Sequence, residues 1–170
     1  MRPLTIFLIF LYALLINIGC TTIYTPKPSP IESYKIPDLT FMAPVSIKNT
    51  QTSNEDVDLS YSNYTLAVNY REYTESVITL LKDELEKRGK TVSDDAHKTI
   101  NIAVIDISLI PFAGSYICQI DLNLGAGNGY LVGREASAKS MYFRKAIKYA
   151  VADAVIKILN NGEILRYLGE

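Results

Sequence analysis

Tyr116-Ile117-Cys118-Gln119-Ile120-Asp121-Leu122-Asn123-Leu124 decides how this chain folds. Tyr116, Cys118, Ile120, Leu122 and Leu124 occupy every second position, and Gln119, Asp121 and Asn123 fall between them. A period of two sends one set to a buried face and the other to water, the pattern of a half-buried antiparallel strand. Turn residues bound the stretch on both sides: Pro111 and Gly114 before it, Gly125-Ala126-Gly127-Asn128-Gly129 after it. Flanking strands are therefore expected over residues 99–110 and 130–138, which makes a meander. In the first of these the apolar set begins on Ile100, Ile102 and Val104 and then moves to Ile105, Ile107 and Leu109. A shift of one residue in phase is what a bulge produces, unless both faces are covered along part of the strand.

The meander lies between two segments of helical period. Tyr70, Tyr73, Val77, Leu81 and Leu85, with Ile78 beside them, form one stripe, and Asn69 with Glu72 three places on resembles a loose capping box. Lys87, Arg88 and Gly89 suit the end of that helix. The second helix is expected over residues 141–160, with Phe143, Ile147, Ala150, Val151, Ala154, Val155 and Ile158 on its apolar face. Ala146, Ala150 and Ala154 would let it approach a neighbour closely. Residues 163–168 read as a short amphipathic tail in which Ile164, Leu165 and Leu168 pack down.

Upstream, residues 41–48 read as a first strand with Phe41, Ala43, Val45 and Ile47 on one face, and Pro44 assigns it to an edge or a strand start. Residues 49–63 are polar and read as a mobile loop, and residues 64–70 as a short second strand. The expected fold is α+β: a two-layer sandwich of a mostly antiparallel sheet of four to five strands with two helices packed on one face. The domain would span residues 41–170. Residues 20–40 contain Pro26, Pro28, Pro30 and Pro37, which oppose helix and favour an extended tether.

The first residues have a different composition. Arg2 precedes an apolar run from Leu4 to Ile18, which breaks at Asn17 and ends in Gly19-Cys20. A membrane-spanning helix needs roughly 20 apolar residues, so a cleaved signal over residues 1–19 fits better than a permanent span. Cysteine directly after the small residue resembles a bacterial lipoprotein signal, although Asn17 stands where that signal usually has leucine. The resemblance implies cleavage between Gly19 and Cys20 and acyl chains, palmitate among them, on Cys20. Thr21 rather than aspartate after the cysteine implies the outer membrane, on its periplasmic leaflet. Each buried methylene contributes about 0.8 kcal/mol, so two or more chains anchor stably where one does not.

Composition narrows the function further. The net charge is −1 and shows no basic excess, which argues against nucleic acid as a partner. With Cys20 acylated, Cys118 has no disulfide partner. Tyrosine occurs 12 times, a residue suited to half-covered sheet faces and contact surfaces.

No motif specifies a reaction. The Gly125–129 run lacks the following helix and the Gly-Lys-Ser/Thr that phosphate loops need, so it reads as a hairpin turn. Asp106 and Asp121 lie on neighbouring strands and either share acid–base work or form a solvated pair. Asp94, Asp95 and His97 fall short of metal-site spacing. Cys118 lies on an apolar face and reads as a small hydrophobe. Ser115, Ser137 and Ser140 lack a nucleophile elbow, and His97 is the only histidine that could serve as their base. Arg134-Glu135 and Arg144-Lys145 read as solvated face or the border of a partner site. The expected site set is therefore lipidation at Cys20, cleavage at Gly19-Cys20, and no catalytic, metal or cofactor-binding residue.

The element order together with Leu85-Glu86-Lys87-Arg88-Gly89, Ile100-Asn101-Ile102-Ala103-Val104, the Gly127-Asn128-Gly129 hairpin and the final helix through residues 150–159 resembles the small bacterial lipoproteins of the YajG type. The resemblance covers residues 41–168 and implies a non-enzymatic accessory or binding module of the cell envelope, supporting transport or surface assembly. It implies membrane attachment through the lipid and another envelope protein or glycan as partner. An envelope hydrolase with an unrecognised site is the alternative.

Overall fold

The period-two stretch forms the middle of β6 (Ser115–Ala126) in the computed structural model, which describes residues 21–61, 64–127, 129 and 131–169. Its apolar set, Cys118, Ile120, Leu122 and Leu124, is fully buried. β6 pairs antiparallel with β5 (Lys98–Phe112) on one side and β7 (Leu131–Ser140) on the other. The expected change of phase is a bulge: the β5–β6 register shifts between Val104 and Asp106, and Ile105 turns outward. Here the Val104 N–H donates to the Thr74 hydroxyl at 2.9 Å, from a helix packed against it.

That helix, α1, spans Tyr70–Lys87. The Asn69 side-chain oxygen accepts from the N–H groups of Arg71 at 3.0 Å and Glu72 at 3.2 Å, satisfying two donors that a helix start leaves free. Glu72 does not complete a capping box; its carboxylate instead accepts from the Thr25 hydroxyl at 2.6 Å. Gly89, with φ +69°, supplies the left-handed residue after the helix. The second long helix, α2 (Phe143–Leu159), buries Ala146, Ile147, Ala150, Val151, Ala154, Val155 and Ile158 against β6, β7 and α1. The C-terminal tail is a third helix, α3 (Gly162–Gly169), with Ile164, Tyr167 and Leu168 packed down. The protein is thus α+β, with helices layered on one face of the main sheet. Among the described residues no helix is long and apolar enough to cross a membrane.

Three expectations are corrected. The first strand is β2 (Val45–Asn49), not residues 41–48; Pro44 precedes it and Ala43 is exposed, while Phe41 still reaches the core. β2 pairs parallel with β5 at the edge of the main sheet, whose order is β2-β5-β6-β7. The polar stretch 49–63 is not all loop, because it contains β3 (Asp56–Tyr61), paired antiparallel with β4 (Tyr64–Asn69). Together with β1 (Thr21–Ile23), parallel to β4, these strands make a second sheet in the order β1-β4-β3.

The third correction concerns the proline segment. It is extended apart from a 3-10 turn at Ser33–Lys35, but it is strapped to the body and does not stand clear of it. The Tyr24 hydroxyl donates to the Arg144 carbonyl at the start of α2, and the Ser76 hydroxyl on α1 donates to the Pro26 carbonyl. Farther on, Asn160 donates to the Lys35 carbonyl, Arg88 to the Ser33 carbonyl and Lys90 to the Phe41 carbonyl. Ile36 and Phe41 are buried in the common core. The strap therefore runs from the N-terminal to the C-terminal ends of both long helices.

Candidate functional site

Away from the helices, the main sheet presents a row of carboxylates. Asp106 on β5 is the register partner of Asp121 on β6, and Asp121 is the partner of Glu135 on β7. The structure thus brings together the two aspartates singled out in the sequence and adds Glu135 as a third. Residues directly opposite on a sheet share a face, and like charges there repel. Burial, followed by the charges of Asp106 and Glu135, raises the Asp121 carboxyl above its ordinary range. Tyr70, at the start of α1, donates to Asp106 at 3.0 Å, and Gln119 donates to Glu135 at 2.8 Å. Burial, then the bond to Asp106, raises the Tyr70 hydroxyl. This is an open, polar strip of three carboxylates, a grouping that can do acid–base work. A groove of about 360 Å³ includes Glu135 at one end of the row, beside Lys157 and Asn160; another, of about 460 Å³, is lined by Ile36, Leu39, Glu84 and Arg88 beneath the strap.

The remaining candidates are dispersed. Cys118 is sealed in the core, where burial pushes its thiol up to about 12, the opposite of an activated nucleophile. Asp94, Asp95 and His97 are exposed between α1 and β5, and Asp94 faces Lys82 at 4.0 Å. Among the described residues no three His, Cys, Asp or Glu side chains group as a metal site. Ser115 donates to the Phe112 carbonyl at 2.6 Å within the hairpin, and Ser140 accepts from the Tyr142 N–H. The Ser137 N–H donates to Asp153 at 3.0 Å. Gly127 serves packing: a Cβ there would lie 2.5 Å from the Tyr167 hydroxyl oxygen, which itself accepts from the Thr99 N–H at 3.0 Å. The strand that follows at Leu131 makes this segment a hairpin connection. Gly19 and Cys20, with the whole signal segment, lie outside the described residues.

The sheet edges differ in accessibility. On β7, Asp153 takes the outward N–H of Ser137 and Lys157 donates to the Glu135 carbonyl, which blunts that edge. On the far side of β2, Val45 bridges Val92. β3 is the outer strand of the second sheet, lies against β5 and carries the exposed Asp56 and Asp58. Sequence reasoning missed this edge, although Val57 and Leu59 alternating with the aspartates was the available signal.

No protein-family model matches the chain, and no curated protein does. Among solved structures it is similar to protein XCC0632 from Xanthomonas campestris, described as DUF330, at 14% identity and a TM-score of 0.46, over 88% of this chain and 93% of that one.

Proposed function

We propose that this chain is a bacterial lipoprotein, acylated on Cys20 and held at the periplasmic leaflet of the outer membrane, where it serves as a non-enzymatic binding module of the cell envelope. The observation that carries this reading is Arg2, the apolar run and Gly19-Cys20, followed at once by polar Thr21-Thr22. The YajG-type lipoproteins are the family it resembles. The buried, unreactive Cys118 and the scattered serines and histidine favour binding over nucleophilic catalysis. The exposed Asp56 and Asp58 on β3 are where another envelope protein would make contact. Replacing Cys20 with serine tests the anchor: the chain should remain unprocessed and take up no fatty acid. A Cys20→Ser chain that is cut as before contradicts the reading. Crosslinking from Asp58→Cys on β3 should capture one dominant envelope partner.

The carboxylate row favours a second reading, an envelope hydrolase. Activity on peptidoglycan or ester substrates that Asp121→Asn abolishes without unfolding the domain would support it over the binding module.

A further inference from the structure

Four of the large exposed apolar side chains gather at one end of the domain. Ile110 and Phe112 are at the tip of the β5–β6 hairpin, and Met141 and Tyr142 are in the link from β7 to α2. The register Ile110↔Ile117↔Lys139 joins the two sites across the sheet. Phe112 is 54% exposed, Tyr142 60% and Met141 71%. Cations accompany them: the Lys139 ammonium lies 4.5 Å from the Phe112 ring centre and that of Lys145 5.2 Å from the Tyr142 ring centre. Arg144 lies over both Tyr24 and Phe143. Residues 107–120 carry no charge, and residues 136–152 carry Lys139, Arg144, Lys145 and Lys148 with no acid among them.

The first described residues are at this same end. Tyr24 meets Arg144, and from there the strap leads away along both helices. β1 precedes it, with Thr21 beside Thr65 near the β3–β4 turn. Thr21 is paired into a sheet and the strap is fastened to the body, so the chain has no free spacer between residue 20 and the domain.

We propose that this end of the domain docks on an anionic bilayer surface. Ile110, Phe112, Met141 and Tyr142 enter the headgroup region, and Lys139, Arg144 and Lys145 face lipid phosphates. Apolar and aromatic side chains flanked by cations suit that boundary, and one attraction reinforces the other. The inference rests on the acyl anchor proposed above, which would hold this end against the membrane.

The chain has no tryptophan, so a single introduced one is an unambiguous probe. Phe112→Trp and, as a control on the strap at the opposite end, Tyr34→Trp are prepared as full-length lipidated protein. Each is reconstituted in vesicles of phosphatidylethanolamine and phosphatidylglycerol containing brominated lipid. Incorporation of radiolabelled palmitate in the same cells reports the anchor separately. Docking predicts blue-shifted, strongly quenched emission at 112 and unquenched emission at 34. It also predicts that K139E/R144E/K145E lowers quenching at 112 to the control level. Labelled protein with equal quenching at both positions, or with none at 112 and a protein crosslink there instead, overturns the docking face and leaves the anchor standing. Unlabelled protein overturns the anchor and the inference with it.

Discussion

The two faces of the main sheet come from the same three long strands and have opposite chemistry. Toward the helices, Cys118, Ile120, Leu122, Leu124 and Ala136 are sealed, and even the Tyr73 hydroxyl is buried without a hydrogen-bond partner. On the other face Asp106, Asp121 and Glu135 stand in a row open to water. Period-two alternation makes both faces at once. A thiol and a phenol that would be reactive in water are inert on the sealed side, because burial raises both. Any recognition or chemistry therefore belongs to the wet face, the exposed side of β3 and the hairpin end.

Substitutions can break this contrast, and the largest effect belongs to the sealed face. Leu122→Ala should cost about 2–5 kcal/mol, because a fully buried side chain leaves a cavity that its neighbours fill only in part. Urea unfolding measures it, and a loss under about 1 kcal/mol would show that this face is not the core. Next comes Gly127→Ala, expected to cost roughly 1–3 kcal/mol through overpacking. Tyr167→Phe removes the oxygen that the new methyl would strike, so a double-mutant cycle should show Gly127→Ala costing less in that background. If the cost is unchanged, the close approach is not what makes glycine necessary.

Asn69→Ala should cost about 1 kcal/mol, because two N–H groups at the start of α1 lose their acceptor. Thermal unfolding at neutral pH measures it, and an unchanged midpoint would contradict the cap.

The smallest effect lies on the wet face and has the opposite sign. The Asp121 carboxyl is raised in the folded chain, which therefore holds its proton more tightly than the unfolded chain does. That contribution to stability is complete below the unfolded pKa of about 3.9 and is lost as pH rises through the folded value. At neutral pH the charge is a burden, so Asp121→Asn should raise the unfolding midpoint slightly. The gain should vanish below about pH 3.9. A drop in midpoint at pH 7 would mean that the carboxylate makes a stabilising contact.

Much of this contrast is legible in the residues. Alternation at 116–124 gives the central strand, the phase change from Val104 to Ile105 gives the bulge, and helical spacing from Tyr70 to Leu85 gives α1. Hairpin counting places Asp106 near Asp121. Glu135 joins them only through the β6–β7 register, and Tyr70 only through the seat of α1 on β5, neither of which local pattern specifies. β3 was hidden because Asp56 and Asp58 are poor strand formers among Asn, Ser and Thr, and pairing with β4 outweighs their propensity. Prolines make the strap extended, but where it lies depends on partners such as Ser76 and Asn160, which are far away in sequence. The parallel pairing of β2 with β5 is likewise a long-range contact.

The attachment of this body to a membrane is tested most directly by the intact mass of the chain extracted from native membranes. The predicted mass is that of residues 20–170 plus acyl chains, released as fatty acid from the N-terminal cysteine. A mass that retains Met1, or one that begins at Cys20 without added acyl groups, would contradict it.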